Sequence, residues 1–219
     1  MTFAAHPPGD NVLLRLRQFA RKRAALEHCE LCGLDLTLDH EHLVEPTSHK
    51  LLCACTACSI LFDAQHNAKY KRVPHTVRLL ENFQLNAAQW DGLRIPIEMA
   101  FFFHSSPHGR VIALYPSPAG AIESLLPLDT WDDLVQANPI LQKMDADVVA
   151  LLVNRVGSAQ GSQSAQYFLV PIDECYKLVG LIRAHWRGLS GGTEVWREVS
   201  AFFNHLKQKS LAHVETRHA

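Results

Sequence analysis

No stretch of this chain approaches the ~18 consecutive apolar residues that a membrane-crossing helix needs. The opening segment, Met1 to Asp10, has no basic stretch followed by an apolar run, so no secretory leader is expected. An excess of either charge is also missing: 21 Lys and Arg stand against 22 Asp and Glu, a net charge of -1. Such a balance creates no overall field toward nucleic acid or an anionic membrane, so any binding of that kind has to be local. The Gly-rich turn from Gly188 to Thr193 lacks the Lys-Ser/Thr ending of a phosphate-binding Walker loop. Ser105, Ser106 and Ser117 lie near His104 and His108 but have no nucleophile-elbow setting, and the Pro and Gly around them are turn chemistry. These absences lead to the expectation of a cytoplasmic, non-catalytic protein.

Cysteine is what the chain concentrates. Five of its six cysteines fall between residues 29 and 58, as Cys29-Glu-Leu-Cys32-Gly33 and Cys53-Ala-Cys55-Thr-Ala-Cys58. In a reducing compartment such a cluster favours metal ligation over disulfides. A CxxC turn lets two thiolates converge on one ion, and two such knuckles complete a tetrahedron. Gly33 supplies the left-handed backbone that the position after a knuckle needs. Five thiols are one more than a tetrahedral ion takes, and matched CxxC spacing selects Cys29, Cys32, Cys55 and Cys58. Cys53 is left as a small buried hydrophobe at a strand end, the expected role, or as a spare thiolate beside the site. Four thiolates close the coordination sphere, which predicts one structural ion per chain. Zinc is the expected ion, and iron on the same sulfurs would instead make a rubredoxin-like electron carrier.

Around this module the chain divides into four parts. A leader and a basic amphipathic helix occupy 1–27, with Asn11 as cap and Arg15, Arg17, Arg21, Lys22 and Arg23 as its basic residues. No aromatics interleave with them, so they read as a solvated face, not a nucleic-acid surface. A zinc-ribbon-like module follows over 28–75, with Lys50-Leu51-Leu52 and Ser59-Ile60-Leu61-Phe62 expected as short strands. An α+β domain spans 82–208: helices at 86–92, 129–144 (divided by Pro139), 173–187 and 193–207, and strands at 97–105, 110–115, 147–154 and 166–170. The order predicts an antiparallel sheet with helices packed on it. A flexible tail is expected over 209–219.

Two further surfaces stand out. Trp186, Arg187, Trp196 and Arg197 flank the turn Ser190-Gly191-Gly192, a composition suited to binding a protein partner. Cys175, Leu178, Val179, Ile182 and Trp186 share one helical face, and Val195, Val199, Phe202 and Leu206 another, which makes them core stripes. The run from Cys29 through Leu38-Asp39-His40 to Leu51-Leu52-Cys53 resembles the HNH nuclease pattern, where two knuckles brace a catalytic Asp-His. The chain departs from that pattern in its short interval from His40 to Leu51 and in Ser59, and Asp39-His40-Glu41-His42 reads as a polar loop between knuckles.

The blocks CELCG to CACTACSILFD, IPIEMAFFFHSS with RVIALYPSPAGAIESLLP, and PIDECYKLVGLIRAHWRGLSGGTEVWREV together resemble a bacterial family encoded among the accessory genes of uptake nickel-iron hydrogenases. The likeness runs from about Glu27 to Leu206. It implies a small cytoplasmic factor that assists assembly or metal-centre maturation, with a hydrogenase subunit or another maturation factor as its partner.

Overall fold

The computed structural model describes residues 27–63, 69–124, 131–157, 164–188 and 191–215. The expected helix over 11–26 lies outside the described residues, as does Ser190. The architecture is α+β, built on two antiparallel sheets. The smaller sheet has the order β2-β1-β3, from β1 (Glu41–Glu45), β2 (Lys50–Ala54) and β3 (Lys71–Arg72). The larger has the order β4-β9-β8-β5-β6-β7, from β4 (Arg78–Leu79), β5 (Met99–Ser105), β6 (Arg110–Ser117), β7 (Gly120–Glu123), β8 (Val149–Asn154) and β9 (Gln166–Pro171). Five helices complete the described fold: α1 (Thr56–Asp63), α2 (Ala87–Leu93), α3 (Trp131–Ala137), α4 (Ile172–His185) and α5 (Gly192–Glu215), with a 3-10 turn at Pro139–Lys143.

Strand alternation explains how the large sheet takes helices on both faces. Met99, Phe101 and Phe103 of β5 point toward α4 and α5, with Ala150 and Leu152 of β8 and Phe168 and Val170 of β9. Ala100 and Phe102 point the other way, with Leu151, Val153 and Leu169, and meet Trp90 and Leu93 of α2, Leu134 of α3 and Leu141. A strand buried on both faces shows a continuous apolar run, as Met99-Ala-Phe-Phe-Phe103 does.

Several elements differ from expectation. Ser59 to Phe62 belongs to α1, because Cys55 and Cys58 start a helix there instead of a second strand pair. Strand β7 was not expected; Pro116 lies beyond the part of β6 that pairs with β5, so its missing amide leaves that ladder intact. Helix α4 begins at Ile172 and not 173, since β9 passes directly into it through Pro171, and it ends at His185 and not 187. Helix α5 continues past 207 to Glu215, through residues expected to be a tail. Its buried stripe is Val195, Val199, Phe203 and Leu206, with Phe203 in place of the half-buried Phe202.

The metal module shares a core with the large sheet. Val44 of β1, with Val73 and Val77, belongs to the same cluster as Phe101 and Phe103. Lys71 adds an ion pair to the fully buried carboxylate of Asp147 at 2.6 Å, and the Ser106 amide donates to that carboxylate at 2.8 Å.

Candidate metal centre

The first knuckle forms the tip of a short hairpin. His28 and Asp35 bridge in antiparallel fashion, and the Leu36 amide donates to the Glu27 carbonyl at 2.8 Å. Within the turn the Gly33 amide bonds the Cys29 carbonyl and the Cys29 amide bonds the Leu34 carbonyl, both at 2.8 Å. Gly33 has a φ of 76°, where a side chain would be strained.

The second pair is held differently. Cys55 follows the last residue of β2, and Cys58 lies in the first turn of α1. The Cys58 amide donates to Cys55 Sγ at 3.4 Å, and the Ser59 amide to the Cys55 carbonyl at 2.9 Å. Cys55 thus caps α1 with its sulfur, which accepts from an amide of the first turn.

All four sulfurs lie within 4.8 Å of one another. Cys32 Sγ and Cys55 Sγ are 3.8 Å apart. Sulfurs about 2.3 Å from a tetrahedral ion are about 3.8 Å apart, whereas a disulfide needs about 2.05 Å. The donor set therefore fits a metal ion, and all four cysteines are free thiols.

The thiols are not equivalent. Burial pushes Cys29 up, but the amides of Cys55, Leu31 and Cys32 outweigh it and bring the thiol down to about 6. Cys58 is pushed up to about 12, first by burial and then by Cys55, Cys32 and Cys29. Cys32 is raised as well: the Leu34 amide favours its thiolate, but the Cys29 and Cys55 thiols oppose it. An ion entering this cluster has to displace protons, so its hold weakens in acid.

The family described as "Family of unknown function (DUF5947)" matches residues 28–210. The chain belongs to this family. The match begins one residue before the first cysteine of the cluster and ends inside α5, so cysteine module and sheet fall within one DUF5947 unit. Neither the curated proteins nor the solved structures give a match.

Elsewhere in this DUF5947 chain the expected sites have the following places. Cys53 is half-buried, directly across from His42 in the β1–β2 register, and not in the core. One ligand atom each from His40, His42 and Cys53 lie within 4.8 Å of one another, a grouping that the sequence reading missed. A His-x-His at a strand start with a Cys on the partner strand was the available signal, but it becomes visible only once the register is known. His40 precedes β1 and its Nδ1 lies 2.8 Å from the Thr37 carbonyl. Cys175 is fully buried, and burial pushes its thiol well above the usual range, as befits a core residue.

Trp186 and Trp196 meet edge to face, with ring centroids 6.2 Å apart. Trp186 is half-buried and its indole N–H donates to the Gly188 carbonyl at 2.9 Å, while Trp196 is 40% exposed. Arg187 and Arg197 are both exposed: Arg187 donates to the Ala184 carbonyl at 3.1 Å, and Arg197 to Glu198 at 2.9 Å. Of the four, only the two Trp rings are seen in contact, and Trp196, Arg187 and Arg197 are the exposed members. The module also turns Leu34, Leu38, Ile60 and Leu61 outward, exposed apolar side chains that sequence reading did not single out. No helix among the described residues is long and apolar enough to cross a membrane.

Proposed function

We propose that this protein is a zinc-stapled, non-catalytic accessory factor of the cytoplasm that acts by binding other proteins. Its partner is a component of an uptake nickel-iron hydrogenase or another maturation factor of that enzyme. The observation that carries the non-catalytic part is the four-cysteine centre, where four sulfurs on one ion leave no position for water or substrate. Abundance and tetrahedral geometry favour zinc there. The hydrogenase context rests on the resemblance of the CELCG, IPIEMAFFFHSS and PIDECYKLVGL blocks. Exposed Trp196, Arg187 and Arg197 offer contact area and charge-assisted hydrogen bonds, which suits a partner surface.

The test is to purify the protein without added metal from cells that make the hydrogenase, then measure metal content and identify co-purifying chains. Tightly held zinc and a hydrogenase component are expected. Replacing both Arg187 and Arg197 by Glu should leave folding and zinc unchanged and remove that component. Iron with visible thiolate absorption would make the chain an electron carrier instead. Duplex binding that falls steeply with salt, or magnesium-dependent cleavage lost in His40→Ala, would replace the reading with a nucleic-acid function.

A further inference from the structure

We propose that His40, His42 and Cys53 form a second metal site, separate from the four-cysteine centre, which takes a divalent transition ion and leaves one coordination position open. This inference does not depend on the identity of the protein partner. His42 and Cys53 are direct cross-strand partners, so their side chains project from the same face of the β1–β2 ribbon. His40 lies two residues before His42, and the two imidazole rings are 4.8 Å apart. Closing this set onto an ion, with nitrogens at about 2.0 Å and sulfur at about 2.3 Å, needs side-chain movement of about an ångström.

Both rings are already turned as ligands. His40 is 6% exposed, and its Nδ1 lies 2.8 Å from the Thr37 carbonyl, which can only accept. The proton therefore sits on Nδ1, and the lone pair is on Nε2. That Nε2 is buried and has no hydrogen-bond partner, although Glu27 Oε2 lies 3.6 Å away. A buried acceptor left without a donor costs free energy, and an ion would satisfy it. His42 repeats the arrangement: its Nδ1 is 3.0 Å from Oδ2 of the buried Asp173, again leaving Nε2 for an ion. Carbonyl or carboxylate acceptors behind a ligating imidazole fix its tautomer and orientation. Asp173 and the Thr37 carbonyl are thus positioning groups.

The third donor is fixed as well. Glu30 accepts from the Cys53 amide and donates its own amide to the Cys53 carbonyl, both at 2.9 Å. Two imidazoles and one thiolate select zinc, cobalt, nickel or copper over magnesium and calcium. Three protein ligands with an open fourth position characterise a site that exchanges its ion or an outer ligand more than a structural one. Because Asp173 belongs to α4, an ion here would also tie the module to the body of the protein.

The probe is Co2+ added to protein whose four-cysteine site is filled with zinc. Outside that centre the chain has only two thiols, and Cys175 is fully buried, so a thiolate-to-cobalt band has to come from Cys53. One equivalent of Co2+ should give tetrahedral absorption with such a band. Cys53→Ser should abolish the band with zinc content unchanged, and His40→Gln or His42→Gln should weaken cobalt binding at least tenfold. Asp173→Asn should weaken it about 10- to 100-fold without releasing zinc. No thiolate band in the wild-type protein, or the same band in Cys53→Ser, overturns the proposal. Unchanged affinity in Asp173→Asn removes that residue's positioning role.

Discussion

Replacing Cys55 by Ser should unfold the metal module over residues 27–63 while the six-stranded sheet stays folded. The module has little apolar material of its own: Cys29, Leu43, Ala54 and Cys55 form its separate cluster, Leu52 is also buried, and Val44 packs with the large sheet. Burying a leucine contributes about 1.5–3 kcal/mol. Ordering the backbone costs about 1–2 kcal/mol per residue, so that set cannot hold the segment. A structural zinc ion, as proposed for the four sulfurs, would contribute about 10–16 kcal/mol and would therefore decide whether the module folds. The sheet, by contrast, buries Phe101, Phe102, Phe103 and Phe168 without help from an ion. Loss of the module would strip Val44 from the edge of that core, which lowers the stability of the sheet but does not remove its fold. Hydrogen exchange read by mass spectrometry, with zinc content measured alongside, checks this. Amides of β1 and β2 should lose protection in Cys55→Ser, and peptides from β5, β8 and β9 should keep it. Chelator treatment of the wild type should give the same pattern. If β1 and β2 stay protected after zinc has left, docking through Val44 and His42 holds the module and the ion does not decide its folding.

Asp147→Asn should destabilise the protein by about 1–3 kcal/mol in urea at neutral pH, because it weakens the buried pair with Lys71. Burial pushes the Asp147 carboxyl up, but Lys71 and Ser106 outweigh it and hold the carboxyl below its usual range. Its stabilisation is therefore complete above the unfolded value of about 3.9 and is lost as pH falls through the folded value, so wild type and variant should converge in acid. A gap that widens in acid would contradict the assignment. Gly191→Ala should lower the melting temperature: φ is 85°, a conformation costing other residues about 1–2 kcal/mol. The added Cβ would also lie 2.9 Å from Val195 and 3.1 Å from the Trp186 ring, so an unchanged melting temperature would show that this connection yields freely. In zinc-filled native protein a thiol reagent should modify Cys53 and spare Cys175; equal rates at both would mean that the α4 face opens readily.

Sequence made the four-cysteine centre legible because ligand spacing is local: each CxxC brings its two sulfurs together within a single turn. Strand β5 was legible for a similar reason, since a long apolar run leading to Ser-Pro-His-Gly announces a buried strand and its hairpin. Ser59-Ile-Leu-Phe62 was misread because three apolar residues in a row show no period that separates strand from helix. What settled it was Cys55 acting as a helix cap, a role cysteine rarely advertises. The polar end of α5 was read as a tail because Lys207 to Ser210 offers no apolar stripe, although Lys209 reaches Glu174 of α4 at 2.8 Å. The grouping of His40, His42 and Cys53 depends on register between two strands and on Asp173, more than a hundred residues away in the chain. No local pattern encodes that meeting.

The ends of the large sheet limit how a partner can approach. Its border strands are β4, of two residues, and β7, of four. Neither offers a row of unpaired amides and carbonyls long enough to template an added strand. On the small sheet the outer side of β2 is occupied at Cys53 by Glu30, which takes both backbone groups there. Recognition by strand addition is thus discouraged at these borders, and so is self-association into stacked ribbons. At these described borders a partner would read side chains, and specificity would rest on substitutable surface residues instead of on the shared hydrogen-bonding pattern of the backbone.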